Sequence, residues 1–196
     1  GLSPGSECEG VNFTASYAVV DGSETEEHRE IISDGLGLFR RAFGFASITF
    51  TPPAGQISPK QYPFLESLGI LAIDKSQRCI RRISADRTVR EVNILGSSRR
   101  HRHLNLVRNV VFEPGKRMFS DPVGHALLQI EAAFRWKKPA IISSHRVNFG
   151  GHIDPRNRDR GLSALRDLLK NLTRRWPDVK FISADQLTRK MQEGQA

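Results

Sequence analysis

The densest run of chemistry-bearing residues is Ser143-Ser144-His145-Arg146-Val147-Asn148-Phe149, which follows the apolar run Ala140-Ile141-Ile142 and precedes His152, Asp154, Asn157 and Arg158. Imidazole changes charge near neutral pH, so His145 at the end of a strand is a candidate general acid or base. A histidine hydrogen-bonded for structure beneath a loop is the plainer alternative. Arg146 and Asn148 beside it offer donors to hydroxyls, or to anionic groups through the guanidinium fork. His145 and His152 stand seven residues apart, a spacing that reaches a shared metal only through a folded loop. In parallel α/β architectures the loops leaving the carboxyl ends of strands converge on one face. Three further places meet that condition: Thr51-Pro52-Pro53-Ala54-Gly55, Asp74-Lys75, and Arg108-Asn109 with Glu113.

The elements that would hold these residues alternate. Ile31, Ile32, Leu36, Phe39 and Phe43 recur at helical spacing behind an acidic first turn, predicting a helix over 25–43 that Gly44 stops. A strand over 47–50 runs into the Pro52-Pro53 turn, where two prolines remove ladder donors. Ser58-Pro59 opens a second helix that ends at Gly69, and Ile70 to Ile73 form a strand. From 75 to 105 the periodicity gives way to basic sequence, with only Val89 to Leu95 strand-like; this reads as an insertion. Strands over 106–112, 140–143 and 179–182 then alternate with helices over 122–136, 157–175 and 184–191. Ser183 and Asp185 read as caps of the last helix. The pattern predicts an α/β fold with mainly parallel strands, in one domain spanning 1–196.

The chain has 196 residues, 38% hydrophobic and 26% charged, enough apolar sequence for a packed core. Thirty Lys and Arg against 21 Asp and Glu leave a net charge of +9, which favours anionic partners. Nucleic acid is not the expected one, because no reader motif is present and the Phe residues occupy core positions instead of a basic stacking surface. No apolar run approaches the ~18 residues of a membrane span. Arg99 to Arg102 form either a solvated face or a binding patch. Cys8 and Cys79 make neither a disulfide framework nor a four-thiolate metal site, and leave the redox compartment open.

The strand into a Pro-Pro-x-Gly turn, the helix followed by Leu68-Gly69-Ile70, and the late apolar strand ending in Ser144-His145 together resemble the polysaccharide deacetylase-like (NodB-type) superfamily. The block from Phe134 to Phe149 and the segment Trp176-Pro177-Asp178-Val179-Lys180-Phe181-Ile182-Ser183 carry the most specific part of the likeness, which spans about Glu26 to Leu187. The resemblance implies a partial or distorted (β/α) barrel, with this chain as the carboxyl-terminal portion of a longer protein. It also implies a divalent metal such as zinc that activates water to remove acyl groups from a bacterial glycan. On it, His145 matches the family's late acid histidine, and Pro52, Pro53 and Gly55 match a groove-lining turn. Arg108, Asn109, Arg146 and Asn148 become donors facing a polysaccharide or oligosaccharide.

The metal ligands do not carry over. The chain contains no His-x-x-x-His, and Asp21 sits in a Val-Asp-Gly-Ser turn where the family has its early Asp. The leading expectation is a deacetylase-type hydrolase whose metal ligands are unknown, cytoplasmic or associated with the cell envelope, and whose activity this fragment alone does not imply. The alternative is a non-catalytic module that binds anionic glycan or a partner protein. Glycoside hydrolysis is a third reading, with Glu113, Asp154 and Asp74 as carboxylates that no spacing pairs.

Overall fold

The computed structural model describes residues 17, 25–82, 88–98, 101–116 and 120–194. Cys8, Asp21, Arg99 and Arg100 lie outside the described residues. In chain order the elements are α1 (Thr25–Phe43), β1 (Thr49–Phe50), α2 (Tyr62–Ser67), β2 (Ala72–Lys75), β3 (Arg78–Arg82), β4 (Thr88–Val92), β5 (Gly96–Ser97) and β6 (Leu104–Val107). They continue with β7 (Val110–Val111), α3 (Pro122–Arg135), β8 (Ile142–Ser143), α4 (Pro155–Arg175) and α5 (Ala184–Glu193). The chain divides into two compact units, Gly1–Val107 with Ile182–Ala196, and Arg108–Phe181.

In the first unit, β1, β2 and β6 pair in parallel and β5 adds antiparallel to β6, in the order β1-β2-β6-β5. Ile32, Ile57, Leu65, Ile70 and Ile73 form its buried core, with Tyr17, Leu36, Phe50 and Tyr62 packed around them. Acidic Glu26 and Glu27 in the first turn of α1 and basic Arg40 and Arg41 in its last complement the helix dipole. Ser183 caps α5 through a reciprocal capping box with Gln186, and Thr49 Oγ1 donates to Asp185 Oδ1 at 3.0 Å, joining α5 to β1. The basic stretch holds more structure than expected. Its β3 and β4 form an antiparallel hairpin with Arg78 opposite Val92.

In the second unit, β7 and β8 pair in parallel, Val110 with Ile142 and Val111 with Ser143. Val110, Phe112, Ala126, Leu127, Ile130, Leu168 and Leu172 are buried where α3 and α4 pack. Asp121 and Asp154 accept from first-turn amides of α3 and α4, each followed by a proline whose missing N–H costs the helix nothing.

The fold is therefore mixed α/β with parallel strands. The expected barrel is not seen: among the described residues no sheet closes, because strands of two to five residues pair in three separate sets. The strand expected over 106–112 is broken at Arg108-Asn109, where the Asn109 carboxamide replaces ladder bonds by donating to the Pro139 carbonyl (3.0 Å) and accepting from the Ile141 amide (2.8 Å). No strand forms over 179–182; Val179 packs on the second core, while Phe181 and Ile182 are exposed. No helix among the described residues is long and apolar enough to cross a membrane.

Candidate functional site

Because β7 and β8 run parallel in register, the chain leaves both at the same end, and the Phe112 amide still donates to the Ser143 carbonyl at 2.9 Å. Two residues past the end of each strand stand Glu113 and His145. The Glu113 side chain is 3% exposed and the His145 side chain 60% exposed, and His145 Nδ1 lies 2.5 Å from Glu113 Oε1. A buried carboxylate thus grips one nitrogen of an imidazole whose body faces solvent.

Asn148 completes the arrangement. Its Nδ2 donates to Glu113 Oε2 (2.8 Å) and to the His145 carbonyl (2.7 Å), and its Oδ1 accepts from the Gly115 amide (2.9 Å). Lys116 Nζ stands 3.9 Å from Glu113 Oε2. Burial pushes the Glu113 carboxyl upward, but the Asn148 bond, the bond and charge of His145 and the Lys116 ammonium outweigh it and hold the group below its ordinary value. The carboxylate is therefore ionised at neutral pH and can only accept. Nδ1 must carry the proton, and neutral His145 presents the lone pair of Nε2 outward. Among the described residues the ring makes no other hydrogen bond.

The turn Arg146–Phe149 that carries Asn148 is fixed from behind by α4. Asn157 Nδ2 donates to the carbonyls of Val147 (2.7 Å) and Gly150 (2.9 Å). Gly161 lets the helix approach so closely that a Cβ there would lie 1.9 Å from the Asn148 carbonyl oxygen. The site is held by backbone contacts as well as by side chains.

The structure brings only some of the expected residues together. Asn148 adjoins His145, yet it is buried with both ends of its amide engaged inside the protein, so it supports the site instead of offering free donors. Arg146 is exposed on the turn beside His145. Arg108 and Asn109 precede β7 and lie at its amino end, opposite Glu113, with Asn109 tied to the Pro139–Ile141 backbone. Pro52, Pro53 and Gly55 belong to the first unit, where Pro52 is buried and Gly55, at φ +67°, leaves no room for a Cβ against Ser76. Asp154 caps α4, and Asp74 lies in β2 of the first unit. The Glu113–His145 pairing, Lys116 and Gly161 were missed. The available signal was that Glu113 and His145 fall equally far beyond two apolar strands.

The divalent metal implied by the family resemblance does not fit this site. Among the described residues no three His, Cys, Asp or Glu side chains converge as ligands. The Glu113–His145 pair is closed by its own hydrogen bond and faces the Lys116 ammonium. Comparison with family models, with curated proteins and with solved structures finds no match to this chain.

Proposed function

We propose that Glu113 and His145 are the acid–base pair of a hydrolase, and that the chain is the carboxyl-terminal portion of a polysaccharide deacetylase-like barrel that removes acyl groups from a bacterial glycan. The observation that carries the acid–base reading is the buried carboxylate fixing Nδ1 of an exposed imidazole at the carboxyl ends of parallel strands. The sequence resemblance carries the choice of glycan.

In this reading Nε2 of His145 takes a proton from the attacking water or returns one to the leaving group, and the ionised Glu113 stabilises the imidazolium formed in between. Asn148 keeps the carboxylate ionised and pointed. The exposed Arg146 guanidinium beside the ring suits hydroxyls or anionic substituents of the sugar. No step is routed through a metal.

Replacing His145 by Ala in the full-length enzyme should lower turnover of an acylated glycan by about 10²-fold to 10⁴-fold, the usual contribution of a positioned proton-transfer group. Released acetate is the readout. Unchanged turnover would remove His145 from the chemistry.

A further inference from the structure

The positive charge of the chain is unevenly spread. The second unit, Arg108–Phe181, carries 15 Lys and Arg against 7 Asp and Glu, so +8 of the chain's +9 lies in it. Arg146 and Lys116 belong to the acid–base site. A denser group of cations sits at the amino ends of β7 and β8, where Asn109 holds the Pro139 carbonyl, at the end opposite His145.

Two helices end there side by side. The end of α3 reads Arg135-Trp136-Lys137-Lys138 and that of α4 reads Arg174-Arg175-Trp176, and the Phe134 and Trp176 rings meet edge to face at 5.1 Å. Val179 packs on the core that these helices share, which brings Lys180 alongside. Arg135, Lys137, Lys138, Arg174, Arg175 and Lys180 are all exposed; the acidic residues among them are Asp178 and Glu131, which pairs with Arg135. Cations in the last turn of a helix complement its dipole, but that does not account for two further features. Trp136 leaves its indole 77% exposed among these cations. Lys137 takes φ +54° as the left-handed residue of a Schellman turn, in which its amide donates to the Phe134 carbonyl and the Lys138 amide to the Ala133 carbonyl, each at 2.9 Å. Glycine fits that position without strain, so a lysine there keeps a cation next to Trp136 at a cost in stability.

We infer that this end of the second unit binds an anionic polysaccharide, a chain bearing carboxylate sugars, and so holds a glycan at a place apart from the acid–base site. The indole face takes the C–H face of one sugar ring, and the ammonium and guanidinium groups pair with carboxylates on its neighbours. A nucleic-acid strand needs a run of stacking rings along a groove, whereas the ring exposed at these two helix ends is that of Trp136. The choice of glycan rests on the proposed function; the sign of its charge rests on the patch.

The test titrates the whole chain by isothermal calorimetry with a galacturonate decamer, which carries no acyl group for the acid–base site. Binding that weakens as salt rises is expected, at least about tenfold tighter than that of a neutral glucose decamer. Trp136→Ala should weaken it by about tenfold. Lys137→Gly should weaken it by about threefold and yet raise the urea midpoint, because glycine relieves the left-handed backbone. His145→Ala should leave it unchanged. No binding, equal affinity for the glucose decamer, tighter binding of a thymidine decamer, or loss of binding with His145→Ala would each overturn the assignment. Absent binding beside acetate release that depends on His145 would remove this surface and leave the acid–base reading in place. Decamer binding that needs Trp136, beside acetate release that does not need His145, would do the reverse.

Discussion

Glu113 with His145 in the second unit, and Lys75 with His101 and His103 in the first, place imidazoles in opposite surroundings. In the second unit a buried carboxylate holds one ring nitrogen and the rest of the ring faces solvent. In the first, the half-buried His101 lies beside an ammonium and His103 is buried near it. A negative partner with an open ring gives a group that can take and return protons. Burial and a positive partner together give imidazoles that resist protonation. The sign of the neighbour and the direction of solvent, more than the presence of histidine, decide what each site can do.

The comparison breaks most sharply at Glu113. An amide at this position satisfies the Asn148 N–H only by turning its NH₂ toward Nδ1, which drives the ring proton to Nε2 and removes the outward lone pair. Glu113→Gln should therefore lower turnover by at least about 10²-fold while the chain stays folded. Activity assayed beside far-ultraviolet circular dichroism checks both halves. Full activity would make Glu113 a structural carboxylate only.

Gly161→Ala attacks the same site through its backbone. A Cβ 1.9 Å from the Asn148 carbonyl oxygen must push the turn from α4. The cost should be about 1–3 kcal/mol by overpacking, and it should exceed the roughly 1 kcal/mol that alanine adds to a helix interior. A lower urea midpoint in the variant is the expected reading. A higher one would mean that the turn yields freely.

A gentler contrast comes from pH. His101 is held at about 4 against 6.5 unfolded, and His103 is lowered as well. The unfolded chain binds these protons first, so their contribution to stability is lost as pH falls from about 6.5 toward 4. Glu113 is also lowered, so the stability it contributes is present above its ordinary 4.5 and is lost only as pH falls below that value through its folded value. Amide hydrogen exchange followed residue by residue should show protection around β2 and β6 weakening at mildly acid pH, before protection around β7 and β8. The reverse order would contradict the assigned surroundings.

Much of the fold is legible in the sequence where signals are local. The periodicity of α1 and the stops at Gly44 and Gly69 place those elements, and Ser183 caps α5 as read. Strands were harder because their partners are remote. A two-residue strand such as β7 has no pattern of its own, and its break from β6 depends on Asn109 meeting Ile141, 32 residues away. Val179 to Ile182 has strand-like composition but no pairing partner among the described residues. Within the site, His145 was visible as a polar residue after an apolar run. Its bond to Glu113 was not, because it depends on the register of β7 against β8.

The most direct measurement is the nitrogen NMR spectrum of the His145 ring at a pH where it is neutral. A proton on Nδ1 and a bare Nε2 are expected in the natural chain, with the proton moved to Nε2 by Glu113→Gln. A proton on Nε2 in the natural chain, or the same tautomer in both, would contradict an imidazole aimed by a buried carboxylate.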